Sequence, residues 1–310
     1  MDFQPTEDQK DLRAGVRDLL AGRYGREALR ASVDTGTSVD RALWRELGEA
    51  GFFALRLPES EGGVGLGLPE AVLVFEEAGR ALVPGPLVAT HLAAGVVPGA
   101  AAGTAVVSAF DLGGPLVAHL GEADAVLGAS GVPAGEPVRS VDPLTPLHRV
   151  AVAGNSSAYR EEGALLTAAL QLGSALRTVE LAVRYAGERE QFGQPIGAFQ
   201  AVKHLCARML VRAEVARTAV YAAAVTGDAG EVAAAKLLAD EAAVRGARDC
   251  LQVHGGMGFT WEADVHLHLK RAWVRAEQWR TAAQAEELLA QELLGPAGQA
   301  GQVWQGGRAG

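Results

Sequence analysis

Two segments of the chain concentrate side chains that could do chemistry. One runs Arg189-Glu190-Gln191-Phe192-Gly193-Gln194-Pro195-Ile196-Gly197-Ala198-Phe199-Gln200, the other Gln252-Val253-His254-Gly255-Gly256-Met257-Gly258-Phe259. An arginine carries a planar cationic fork that suits paired oxygens of an anion, and a glycine lets backbone come close to a bound group. Taken singly, these residues have plainer readings: Arg189 and Glu190 as a solvated helix end, Phe192 and Phe199 as core, Gly255-Gly256 as a helix C-cap. Their joint spacing around the Pro195-Ile196 turn is what carries information.

Other chemistries find little support. His266 and His268 stand two residues apart in a helical pattern, so their rings point apart, and neither they nor His204 and His254 join a Cys or acidic cluster with ligand spacing. No metal site is assigned. There is no phosphate-binding P-loop and no Gly-x-Ser-x-Gly elbow. Ser108, Ser174 and Thr178 have no evident base partner and read as structural. Cys206 and Cys250 lie in Ala- and Leu-rich helical stretches, where a free thiol packs as a small hydrophobe.

The elements that must position these segments follow from periodicity. Helical patterns run from about Thr6, as N-cap, to Ala21, from Val39 to Ala50, and from Pro69 to Leu82. Residues 1–100 therefore read as an N-terminal helical domain. Between Ala101 and Ala153 the texture changes to short β-branched runs, Ala105-Val107, Ala125-Leu127 and Arg149-Val152, separated by Gly, Pro and Asp turns. Residues 101–155 form a short β middle domain on this reading. From Ala158 to Leu294 long helices return, broken at Gly193–Gly197, Thr226–Gly230 and Gly255–Gly258, which predicts a C-terminal bundle of four or five helices over 156–295. Residues 296–310, rich in Gly and Gln, read as a flexible tail. The fold class is mainly α.

At 310 residues and 49% hydrophobic content, the chain can bury a sizeable core. Its formal net charge of −9 argues against a nucleic-acid footprint. Apolar stretches are too short to span a membrane, and Asp2, Glu7 and Asp8 ahead of Lys10 are unlike a secretory leader, so the expected location is cytoplasmic.

The two chemistry-bearing segments resemble signature motifs of the acyl-CoA dehydrogenase flavoproteins. The resemblance extends to Met1-Asp2-Phe3, Glu7 and Leu12-Arg13 in an opening helix, and to Leu57-Pro58-Glu59 with Gly62-Gly63-Val64-Gly65-Leu66-Gly67 in a first loop. It implies an order of helical, β and helical parts, and a reaction in which FAD takes a hydride from the β-carbon of an acyl thioester while a carboxylate removes the α-proton. By the same resemblance, Arg189 reaches the FAD pyrophosphate of a neighbouring subunit. Gln191, Phe192 and Gln200 contact that cofactor, and Gln252, His254, Gly255 and Gly256 form the second contact loop.

The departures from the family pattern matter as much. The β part is too short, and the family's flavin-ring segments have no counterpart. The two places where family members carry the catalytic glutamate fall on Gly163 and Trp279, neither a carboxylate. Glu161, Glu162 and Glu277 are neighbours, but one residue along a helix turns a side chain about 100° away; they read as solvated surface. The catalytic base is thus not assigned. The resemblance implies one subunit of a heteromeric dehydrogenase, like the short subunits of α2β2 enzymes that include those acting on sterol side-chain CoA thioesters. A second acyl-CoA dehydrogenase-like chain would hold the flavin ring and supply the base, and an electron-transfer acceptor would follow. Two alternatives remain open: a self-sufficient homo-oligomer using Glu162 or Glu277, and a non-catalytic scaffold. Wide Ala- and Leu-rich faces on the helices from Arg160 to Ala223 fit oligomerisation or a buried central helix.

Overall fold

The computed structural model describes residues 5–295. Five helices come first: α1 (Glu7–Arg23), α2 (Arg26–Thr35), α3 (Arg41–Glu49), α4 (Leu68–Arg80) and α5 (Leu87–Leu92). Five short strands follow, β1 (Val107–Ala109), β2 (Leu116–Ala118), β3 (Ala125–Leu127), β4 (Gly135–Val138) and β5 (Leu147–Val150). Then come α6 (Arg160–Glu188), a two-stranded hairpin of β6 (Glu190–Gln191) and β7 (Gln194–Pro195), α7 (Gln200–Thr226), α8 (Ala229–His254), α9 (Val265–Glu277) and α10 (Ala282–Leu294). The mainly helical reading and the bundle are as expected. The flexible tail assigned to 296–310 lies outside the described residues.

Local chemistry sets the helix ends. Thr6 caps α1, with Gln9 returning a bond to the Thr6 amide, and Asp40, Asp228 and Thr281 cap α3, α8 and α10. Gly227, in the left-handed region, ends α7. The helices α2 and α5 were not expected, being short and bounded by tight Gly and Pro turns rather than by a long periodic pattern. The strand expected over Arg149-Val152 is shifted to β5, because pairing with β2 and β4 sets the register there. β1 and β3 pair in parallel as a separate two-stranded sheet.

The first and last helical parts share one hydrophobic core, from Leu20 on α1 to Trp279 beyond α9, while Phe110, Val117, Leu120, Val126 and Val150 form a small satellite among the strands. The spine is α6, buried from Gly163 to Leu176. It crosses α4 at backbone contact: a Cβ on Gly79 would overlap the Leu170 carbonyl, and one on Gly173 the Glu76 carbonyl. Two glycines at one crossing let the helix axes approach closely. A buried polar set fixes the third layer, with Lys236 bonded to Asp240 and to the Arg275 carbonyl, and Gln171 Nε2 donating to Asp240 (2.9 Å) and to the Ala272 carbonyl (3.0 Å). This ties α6, α8 and α9 together.

Gly173→Ala is therefore expected to destabilise the chain by at least about 1–3 kcal/mol through overpacking. Gly187→Ala on the same helix, where a Cβ meets open space, should be neutral or stabilise by up to about 1 kcal/mol. Thermal unfolding of both variants checks the contrast; equal effects would contradict it.

Candidate functional site

The two chemistry-bearing segments converge at one end of the bundle. Arg189 is the C-cap of α6, and its carbonyl accepts from the Ile196 amide at 2.7 Å, closing the β6–β7 hairpin. Between the paired Gln191 and Gln194, Phe192 (φ 54°) and Gly193 (φ 77°) make a two-residue turn with both dihedrals positive. Such turns match the twist of a hairpin, but an aromatic residue rarely occupies one. The result is a Phe192 ring 91% exposed, touched edge-on by Phe199 at 6.0 Å between centroids. The core reading of Phe192 is thereby excluded.

At the end of α8, the His254 Nδ1 lies 2.8 Å from the Cys250 carbonyl, so that nitrogen carries the proton, and the ring stacks on Tyr185 of α6 at 4.1 Å. The stack joins the two segments, because Tyr185 stands one turn before Arg189. Gly255 is both the C-cap of α8 and part of an open surface: no atom would meet a Cβ on Gly255 or on Gly256. Arg189, Gln191, Gln200 and Gln252 are all exposed, and Met257 and Phe259 add apolar side chains open to solvent beyond the glycines. Among the described residues Arg189 has no carboxylate within ion-pair distance, so its fork is available to an anion.

The positions expected for a base lie at the opposite end of α6, and they meet. The Trp279 indole, 6% exposed, lies against Gly163 so closely that a Cβ there would overlap the ring. Trp279 adopts a positive φ of 61°, a strained conformation for a bulky residue. Its neighbours hold it: the Trp279 amide donates to the Asp111 carbonyl (2.5 Å), Gln278 Nε2 donates to Asp111 Oδ2 (2.7 Å), and Arg280 pairs with Glu161. Below the indole remains a cavity of about 30 Å³, room for one or two waters.

Of the nearby carboxylates, Glu161 is exposed as expected and Glu162 is half-buried. Glu161 and Glu162 are not free surface charges, because Arg280 pairs with the first and Arg56 with the second, and His91 lies 3.9 Å from Glu162. Glu277 is exposed, as expected. Ser174 does have a partner, in correction of the sequence reading: its Oγ lies 2.7 Å from His268 Nδ1, across 94 residues of sequence. Burial lowers the His268 pKa to about 3, so the pair is a neutral, structural one.

The sequence reading missed Asp111. It sits in the loop after β1, its Oδ1 is shut from solvent without a partner, and desolvation raises its pKa to about 7 despite the Gln278 bond. An isolated Asp among Gly turns gave no signal of this. Because the folded-state pKa lies above the ordinary value of 3.8, the folded chain holds an extra proton between about pH 4 and 7, and Asp111 weighs increasingly against folding as pH rises through that window. Asp111→Asn should therefore gain stability relative to wild type between pH 4 and pH 8, measured by chemical denaturation. A constant difference across that range would contradict the assignment.

Comparison with known proteins follows the same lines. Residues 6–108 match the family model for the acyl-CoA dehydrogenase N-terminal domain, and residues 160–285 that for the C-terminal domain. The chain is 38% identical over 291 residues to acyl-CoA dehydrogenase IpdE2 of Mycobacterium tuberculosis, covering 86% of this chain and 92% of that one. Among solved structures, the ChsE4-ChsE5 complex of Mycobacterium tuberculosis gives a TM-score of 0.83 at 26% identity, covering 96% of this chain and 100% of the matched one. Butyryl-CoA dehydrogenase of Megasphaera elsdenii shares the fold, with a TM-score of 0.81 at 20% identity over 95% of this chain and 100% of its own.

Proposed function

Because the chain belongs to the acyl-CoA dehydrogenase family, we propose that it is the contact-donating subunit of a heteromeric enzyme that oxidises an acyl-CoA thioester to the α,β-unsaturated thioester. The observation that carries this reading is the Trp279 indole packed on Gly163. The two positions that the resemblance gives for a base are in contact, and carbon fills the contact, which supports a base supplied from elsewhere. The ChsE4-ChsE5 structure, a complex of two differently named chains, supports assembly with an unlike partner.

The residues fit one edge of a flavin dinucleotide and not its ring. Arg189 stands at the base of the hairpin and Phe192 at its tip, both exposed, with Gln191, Gln200 and Gln252 exposed as well, and Gly255 and Gly256 leave backbone open to close approach. Arg189 lies 26 residues from Gly163 along α6, about 39 Å at 1.5 Å per residue. One flavin cannot lie against both ends, so the exposed contacts serve a cofactor held by another subunit.

FAD, when bound, accepts the hydride that leaves the β-carbon of the thioester. In this arrangement Arg189 neutralises pyrophosphate charge with a fork that pairs with no carboxylate among the described residues. Phe192 covers an apolar cofactor surface and keeps water away, and His254, held by Tyr185 and the Cys250 carbonyl, presents its free ring nitrogen at a fixed orientation. The α-proton goes to a carboxylate supplied by the partner.

Replacing both Arg189 and Phe192 by Ala in the assembled complex should lower flavin content and dye-reduction activity at least tenfold, while Glu162→Gln and Glu277→Gln each leave activity within about twofold. Retained flavin and activity in the double variant would point to a scaffold. Loss of activity in either Gln variant would restore the displaced-base alternative.

A further inference from the structure

The cavity beneath Trp279 is lined by a charge that lacks a counter-charge. Arg275 of α9 is 4% exposed. Its Nη1 donates to the Leu170 carbonyl at 3.4 Å, and among the described residues no carboxylate lies within 4.0 Å of it. The carboxylate of Asp142 is already engaged by the Arg271 guanidinium, the Thr145 hydroxyl and the Leu144 amide. Arg271 thus has a carboxylate in direct contact and Arg275 has none, which leaves the Arg275 charge without an ion-pair partner. Such a charge is strongly unfavourable unless compensated, and arginine does not escape by losing its proton at working pH. Burial and the neighbouring Arg271 both push the Arg275 pKa down, which expresses the same imbalance.

Arg275 is the wall group that can receive an anion. Beyond the N–H given to Leu170, it brings further N–H groups to a space of about 30 Å³, while the donors of Ser108, Thr145 and Gln278 are already given to Ala118, Asp142 and Asp111. That volume admits a monatomic ion or one to two waters and excludes phosphate or an acyl carboxylate with its chain. His119, also on the wall, is held neutral by burial, with a pKa of about 3, and supplies no charge of either sign. We propose that this cavity is a binding site for a single halide-class anion, held on the Arg275 guanidinium beneath Trp279, which completes the packing of α9 against α6. The site is independent of which subunit supplies the base. The rival compensation is Asp111, which lines the same cavity and could act as a carboxylate through a bridging water.

The test uses the chain in its native assembly. Crystals grown in bromide should show an anomalous peak in direct contact with the Arg275 guanidinium. In solution the thermal midpoint should rise by a few degrees with chloride over gluconate at constant ionic strength, as binding to the folded state requires, and Arg275→Met should lose that dependence. Equal midpoints in chloride and gluconate, or no bromide peak, would overturn the site and favour Asp111 through water. A peak without any chloride dependence would mean an adventitious ion only and equally overturn it. If Arg275→Met does not fold, the two wild-type measurements decide.

Discussion

The backbone crossing of α4 and α6 is the constraint on which the rest of the molecule depends. With Gly79 and Gly173 facing carbonyls of the opposite helix, α6 runs through the core rather than over it, and the first and last helical parts become one hydrophobic body. A helix of 29 residues, buried through Gly163–Leu176, then acts as a ruler. It puts Arg189 and the hairpin at one face of the protein and Gly163 at the other, too far apart for one cofactor. The proposed division of labour between subunits fits that length.

The second end shows how a site can be closed by packing. Gly163 has no Cβ, so the indole of Trp279 can lie on α6; Trp279 needs a left-handed backbone, and the bonds of Gln278 and Trp279 to Asp111, with the Arg280–Glu161 pair, hold it there. Each feature makes sense only with the others. The strain at Trp279 is thus sustained by its surroundings, as stored strain must be. Trp279 is also one of the two positions at which the family resemblance would place a carboxylate.

Much of the architecture was legible in the sequence because helix caps and periodicity are local. Thr6, the Pro69 start and the long C-terminal helices all behave as their neighbours dictate. The two chemistry-bearing segments stood out because their residues are close in sequence. What was hidden is non-local. Glycine and tryptophan at 163 and 279 register as missing carboxylates, but nothing in the chain announces that they touch. Ser174 finds His268 only through the packing of α6 on α9, and Glu161 and Glu162 find Arg280 and Arg56 in the same way. Phe192, taken singly, read as core, and a two-residue turn put it at the surface instead. The exposed Arg189 and the buried Arg275 are the same residue type with opposite surroundings, which sequence alone does not distinguish.

The central claim is that this chain completes a flavin site held by another subunit and holds none by itself. FAD content per chain, measured on the protein expressed alone and again with its partner subunit, tests it most directly. The account predicts little or no flavin alone and about one FAD per pair of unlike chains in the complex. Near-stoichiometric flavin on the isolated chain would contradict it.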